Sequence, residues 1–381
     1  MRKISCLIAS IISLFSCYTL AILPEKYYAA KLNSPFKNLS TPIAGNSPFE
    51  IAPNNLYPVD TTKKYKRGIL LIHGLSCSPY VMRPLGDFFA KNGFYVMAIL
   101  LPGHGTQPRD LLHTKWEEWS EAVQYGVNAL AQKADEIYLA GYSIGGTLAI
   151  QTSLNDGRIR GLFLFAPAIE ITKWAMTAKI VDKLGIFYPK LHWLNIGEDI
   201  DSFKYESVTM NAVYQTYSLI QQLHKKMQNR KITIPIFLVS SQDDTTVDVD
   251  ATINFFSKCV INKNKHMILY TTQPETNIER IAPTQIELVQ SAFPKEKILS
   301  SAHTALLTPP NDVHYGVNGN YANCIHYDIA SNEYKKCQKQ YDFLGEITDK
   351  NYKRGIIRRL MYNPNFLKMQ ASLKQFLQLI S

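Results

Sequence analysis

Leu139-Ala-Gly-Tyr-Ser-Ile-Gly-Gly-Thr-Leu-Ala-Ile150 sets an apolar run, a serine between glycines and a second apolar run end to end. A surface loop would be more polar, and a buried turn has no need of a hydroxyl. The arrangement fits a strand that reverses sharply into a helix, leaving the Ser143 oxygen exposed at the tip of the turn. Glycines two residues before and two after relieve the crowding a side chain would cause there. Five-residue Gly-x-Ser-x-Gly matches are common by chance, so the surrounding sequence has to decide.

That surrounding is a regular alternation. Arg67–His73, Tyr95–Leu101, Glu136–Ala140, Gly161–Ala166 and Ile234–Val239 are short apolar runs, as expected of strands buried on both faces. Met82–Asn92, Trp116–Lys133 and the residues from Leu148 onward read as helices, with Gly93 suited to stop the first. Further strands are expected at Met267–Tyr270 and Lys297–Ser300, and a closing helix at Asn363–Ile380. Strands alternating with helices predict an α/β fold, a mostly parallel central sheet flanked by helices. Reactive groups on such sheets sit beyond the carboxyl ends of the strands.

Between Pro167 and about Arg230 the alternation stops. Trp174, Met176, Ile180, Leu184, Phe187 and Trp193 give an apolar, aromatic-rich stretch, followed by a helical segment from Ser207 to Gln228. This reads as a helical lid inserted at about 168–230, the alternative being ordinary helices packed on the sheet. Residues 24–66 are rich in Pro, Asn and Ser without a sustained period, and read as an extended arm. The main domain then runs over 67–381, with extra insertions expected at about 266–296 and 305–350.

The first residues have another logic. Met1-Arg2-Lys3 precedes an apolar run from Ile4 to Cys17, which predicts an export signal over 1–23 rather than part of the fold. Leu14-Phe15-Ser16-Cys17 resembles a bacterial lipobox, with lipidation at Cys17, ordinary cleavage or retention as a membrane anchor as the three outcomes. All three put the folded part in the cell envelope or outside the cell, with membrane association through the N-terminus. In an oxidising compartment Cys324 and Cys337, thirteen positions apart in a polar segment, are expected to pair.

The formal charge is +10, but the lysines are spread along the chain with no Arg-rich block or aromatic-interleaved basic module, which argues against a nucleic-acid partner. No Cys-x-x-Cys or His-x-x-x-His spacing supports a metal site, and nothing calls for an organic cofactor.

A serine hydroxyl needs a base within hydrogen-bond reach, and the base needs a partner to hold its tautomer. Both should follow the ends of later strands. After Ile234–Val239 come Asp243 and Asp244; Asp244 is preferred because Val247 three residues on anchors the turn, and Asp243 stays the alternative. Four histidines follow. His266 precedes an apolar run and so lies at the wrong strand end, and His314 and His326 fall in the polar insertion. His303 directly follows Lys297–Ala302, at the correct edge. Two backbone N–H groups must also face the developing oxyanion. Ile144, next to the serine, and Leu75, in the loop after the first main strand, are the expected donors. His73 is expected to hold that loop rather than act as a base.

His73-Gly-Leu-Ser-Cys-Ser-Pro-Tyr-Val-Met-Arg-Pro-Leu, Leu100-Leu-Pro-Gly-His-Gly-Thr106 and Gly141-Tyr-Ser-Ile-Gly-Gly146 together resemble the α/β-hydrolase carboxylesterases, in particular bacterial carboxylesterase and monoacylglycerol-lipase-like enzymes of the serine aminopeptidase S33 type. The resemblance covers roughly residues 67–304 and the final helix. It implies a lid that helps bind acyl chains, nucleophile Ser143, acid Asp244, base His303 and oxyanion donors Leu75 and Ile144. The chain departs from the pattern in the long gap between Asp244 and His303, in segment 305–350, and in Cys77 near the oxyanion loop, for which Cys259 is a conceivable partner. The expected activity is hydrolysis of an acyl ester or lipid through an acyl-enzyme, with medium acyl chains favoured by the apolar lid. Thioester, amide or lactone hydrolysis would use the same residues. A non-catalytic envelope binding protein is the remaining alternative.

Overall fold

A computed structural model describes residues 42–53, 64–274 and 278–380. The expected signal over 1–23, with Cys17, and most of the arm lie outside these residues. Eight strands form a mostly parallel central sheet flanked by helices: β1 (Phe49–Ile51), β2 (Tyr65–Ile72), β3 (Phe94–Ile99), β4 (Ala134–Tyr142), β5 (Ile159–Phe165), β8 (Ile236–Ser241), β9 (Lys265–Thr271) and β10 (Ile286–Gln290), in the order β1-β3-β2-β4-β5-β8-β9-β10. The numbers β6 and β7 belong to a separate ribbon, Trp193–Asn195 with Val208–Thr209. The described residues fall into two compact units, 42–53 and 64–162 with 174–226, and 163–173 with 227–274 and 278–380.

In the first unit β2 pairs in parallel with both β3 and β4. Its Ile69, Leu70, Leu71 and Ile72 are fully buried, which is why the run is apolar without alternation. Helices α1 (Arg83–Lys91), α2 (Trp116–Ala131) and α3 (Ile144–Asn155) follow β2, β3 and β4. On α2, Trp119, Ala122, Val123, Val127 and Leu130 are buried at helical spacing, and Glu117 and Glu118 sit in the first turn, where carboxylates suit the positive end of the helix dipole.

The arm is more than an extended tether. Phe49–Ile51 pairs antiparallel with β3 at the sheet edge, with Phe49 and Ile51 buried. Buried Asn46 donates to the carbonyls of Gly105 and Ser202, at 3.2 and 2.9 Å, and accepts from the Ser78 hydroxyl at 2.6 Å. A three-residue strand is too short for periodicity to reveal.

The expected lid holds α4 (Ala178–Leu184) and α5 (Met210–Met227), but also the β6–β7 ribbon between them, so it is not purely helical. The amphipathic α5 buries Ala212, Val213, Thr216, Leu219, Ile220 and Leu223. After α4 the chain exposes Ile186 and Phe187, at 77% and 75%.

The second unit corrects two expectations. Segment 266–296 is not an insertion: it supplies most of β9 and all of β10, which pair in parallel with β8 and with each other. Lys297–Ser300 is not a sheet strand, since Lys297 takes a left-handed φ of 58° and Ile298 forms only isolated bridges to Phe293 and Leu344. The edge strand β10 is half-exposed, so it carries Glu287 and Gln290 among its apolar residues and shows no continuous apolar run. Helix α6 (Val249–Lys258) follows β8, capped by the Asp248 carboxylate, which accepts from Ala251 N–H. The long segment after His303 contains α7 (Asn332–Lys339), β11 (Phe343–Gly345), α8 (Asp349–Tyr352) and β12 (Ile357–Arg359). Cys324 and Cys337 form a disulfide there, in a small core with Tyr327, Tyr334 and Ile357. Neither Cys77 nor Cys259 is joined in a disulfide. The closing helix α9 (Phe366–Leu379) sets Phe376 against Phe163 and Phe237, and burying one such ring contributes about 1.5–3 kcal/mol. Among the described residues no helix is long and apolar enough to cross a membrane.

Candidate active site

Ser143 stands between the last residue of β4 and the first of α3, with φ 54° and ψ −119°. A non-glycine residue in this region stores on the order of 1–3 kcal/mol of strain. The neighbouring glycines permit the turn: a methyl on Gly141 would lie 2.2 Å from the Gly145 carbonyl oxygen, and one on Gly145 would lie 2.1 Å from that of Ile72. Contrary to expectation the serine is not exposed; it is 1% accessible, and its Oγ has no hydrogen-bond partner among the described residues. Ile144 opens α3, where the first N–H groups of a helix lack intrahelical acceptors and the dipole favours negative charge.

The loop after β2 lies beside this turn, since Ile72 is the register partner of Gly141. His73 holds it. Its Nε2 accepts from Leu101 N–H at 3.0 Å, and its Nδ1–H donates to Gly74 O at 2.8 Å, a tautomer those two partners dictate. Burial, reinforced by nearby His104, holds its pKa well below the ordinary histidine range, so the ring stays neutral. Leu75 is buried, and Cys77 N–H donates back to Gly74 O at 3.3 Å, closing a turn in which Ser76 takes φ 54°. His104 donates from Nδ1 to Pro102 O and packs against His73 and Trp119; burial lowers its pKa to about 4.

Tyr205 joins the segment between α4 and α5 to these loops. Its hydroxyl accepts from Thr106 N–H at 2.8 Å and donates to Gly103 O at 3.1 Å, while its own N–H donates to Ser76 O at 3.1 Å. The excursion between α4 and α5 is thereby fastened to the loop that carries Leu75. A lone tyrosine in an irregular segment gives no local signal of such a role.

In the second unit the turn after β8 carries Asp244. Its Oδ1 accepts from the N–H groups of Thr246 and Val247 at 2.8 and 3.1 Å, and its Oδ2 stands 2.8 Å from Nδ1 of His303. Both side chains are completely buried. Asp243 points elsewhere, accepting from the Ser291 hydroxyl at 3.0 Å, and burial raises its pKa. His303 opens a short 3-10 turn at φ 29°, twelve residues beyond Ser291 rather than directly after a sheet strand. The remaining histidines of this unit have other surroundings. His266 stacks on Phe237 and faces Glu287, His314 contacts Asn320, and His326 donates to Ile357 O.

Of the expected residues, Ser143, Ile144 and Leu75 occupy adjoining turns of the first unit, and Asp244 and His303 meet in the second. A carboxylate that receives Nδ1–H fixes the imidazole tautomer in which Nε2 is the basic nitrogen.

A family model described as "Serine aminopeptidase, S33" matches residues 63–202. A thermostable monoacylglycerol lipase of Bacillus sp. (strain H-257) is 28% identical over 180 residues, 47% of this chain and 71% of that protein. A carboxylesterase of Bacillus subtilis (strain 168) is 25% identical over 195 residues, 50% of this chain and 77% of that protein. Among solved structures, one described under two metagenome-derived lipolytic enzymes aligns with a TM-score of 0.50 at 18% identity, covering 60% of this chain and 89% of that one, which is a likeness of fold.

Proposed function

We propose that this chain is an α/β hydrolase of the serine type, cleaving carboxylic esters through an acyl-enzyme, with Ser143 as nucleophile, His303 as base and Asp244 as its orienting acid. The observation that carries this reading is the fully buried Asp244–His303 contact at 2.8 Å. It is supported by the strained turn at Ser143 and by the similarity to a lipase and an esterase.

The steps follow from the residue chemistry. Ser143 Oγ attacks the ester carbonyl while its proton passes to Nε2 of His303, and Asp244 stabilises the imidazolium that forms. The N–H groups of Leu75 and Ile144 receive the oxyanion; losing one such donor costs on the order of 3 kcal/mol of transition-state stabilisation. The imidazolium then protonates the departing alcohol. Water, deprotonated by His303, attacks the acyl-enzyme, and the imidazolium returns that proton to Ser143 Oγ as the carboxylic acid leaves. The apolar excursion tied by Tyr205 to the Leu75 loop supports an acyl chain as the group bound beside the reacting carbonyl. The Cys324–Cys337 disulfide supports an oxidising, extracytoplasmic location.

The test is hydrolysis of p-nitrophenyl esters of increasing acyl length by the protein and by Ser143→Ala. Turnover that peaks at a middle chain length and vanishes in the variant is expected. Equal turnover by the folded variant would remove Ser143 from the mechanism, and a folded protein without turnover would rule out this ester chemistry.

A further inference from the structure

The second unit contains a buried ion pair that the proposed mechanism does not use. Glu346 and Arg359 are each 1% exposed, and their side chains are in direct contact. Glu346 follows β11 and Arg359 ends β12, strands that pair in parallel with Gly345 opposite Arg359. All of these residues lie outside the stretch matched by the family model. Desolvating two charges is costly, so such a pair by itself says little about stability. What it touches says more.

The Thr245 hydroxyl donates to Oε1 of Glu346 at 2.6 Å and lies 3.4 Å from an Arg359 guanidinium nitrogen, which donates to it. Thr245 is the residue directly after Asp244, inside the turn whose N–H groups hold the Asp244 carboxylate. The β11–β12 pair and its flanking residues also grip the neighbourhood of His303. Thr304 Oγ1 donates to Leu360 O at 3.1 Å, Glu346 N–H donates to Ser300 Oγ at 3.3 Å, and Leu299 N–H donates to Leu344 O at 2.8 Å. Arg359 N–H in turn donates to Asn323 O, one residue from the disulfide. Asp244 and His303 both sit in irregular turns, which do not fix a side chain as a helix or strand would. The β11–β12 pair with its flanks ties those turns together.

We propose that Thr245, Glu346 and Arg359 are positioning residues that hold Asp244 and His303 in register. The proposal rests on the assignment of those two as acid and base. Misplacing a reacting group by an ångström costs up to about 100-fold in rate, so the segment beyond residue 305 belongs to the working site.

Thr245→Val keeps the shape and removes the hydroxyl without stranding a new charge. The expected result is a folded protein whose kcat on a p-nitrophenyl ester falls by ~10- to 100-fold with little change in KM. The acid limb of kcat/KM should move to lower pH, because a poorly held carboxylate supports the imidazolium less. Thr245→Ser should restore both. The low-field proton resonance of His303 Nδ1–H should broaden or shift upfield in Thr245→Val and return in Thr245→Ser. A folded Thr245→Val, or a folded Glu346→Gln/Arg359→Met pair, with unchanged kcat, pH profile and resonance would overturn the proposal. If the wild-type protein shows no Ser143-dependent turnover, the esterase reading fails instead, and the resonance alone decides whether Thr245 positions the pair.

Discussion

Nδ1 of His303 lies 2.8 Å from Oδ2 of Asp244, across a separation of 59 residues, with both side chains closed to solvent. The adjacent Asp243 turns its carboxylate to Ser291. Two neighbouring acids therefore have separate partners, which individual substitutions can tell apart.

Asp244→Asn should lower kcat by on the order of 10³–10⁴, because an amide cannot hold the imidazole in the basic tautomer. Asp243→Asn should cost less than about tenfold, since it touches the reaction only through the turn. Steady-state kinetics of both variants on one p-nitrophenyl ester is the check. The opposite ranking would reassign the acid.

Burial sets His104 near a pKa of about 4, against an ordinary 6.5. The unfolded chain then binds the proton more readily, so this contribution to stability is full above about 6.5 and is lost as pH falls toward 4. Between pH 7 and 5 the loss attributable to His104 is about 2 kcal/mol. Urea denaturation at those two pH values should show an acid loss smaller by about that amount in His104→Asn, whose amide can replace the Nδ1–H bond to Pro102. Equal losses would contradict the assignment.

Gly145→Ala would press a methyl to 2.1 Å from the Ile72 carbonyl oxygen and 2.6 Å from that of His73, both backbone atoms that cannot swing aside. The expected cost exceeds about 4 kcal/mol, seen as lost soluble protein or a collapsed melting temperature. Gly157→Ala, where an added methyl meets nothing within 4 Å, is the control and should melt within a few degrees of wild type.

Replacing Cys324 and Cys337 together with serine should lower stability by about 3 kcal/mol, the chain-entropy value for a loop of this size. Denaturant unfolding of the oxidised protein and the double variant measures it. Unreduced mass mapping should join the two cysteine peptides, and two free thiols would count against the bridge.

Features that depend on neighbours along the chain are legible in the residues alone. Continuous apolar runs marked β2, β3, β4, β5 and β8, because a strand buried on both faces has no reason to alternate. Glycines around Ser143 marked its turn, because only they leave room for the backbone of Gly145 and Ile72. Other features come from packing between distant segments. β1 is too short and β10 too mixed to announce themselves, since an edge strand is stabilised by its partner as much as by its own composition. That absence of signal is why 266–296 read as an insertion and Lys297–Ser300 as a strand. Tyr205 and Ser76 are far apart in the chain, as are Thr245 and Glu346 at a separation of 101 residues. A hydrogen bond over such a distance is fixed by how distant segments pack, and no local period or turn residue encodes it.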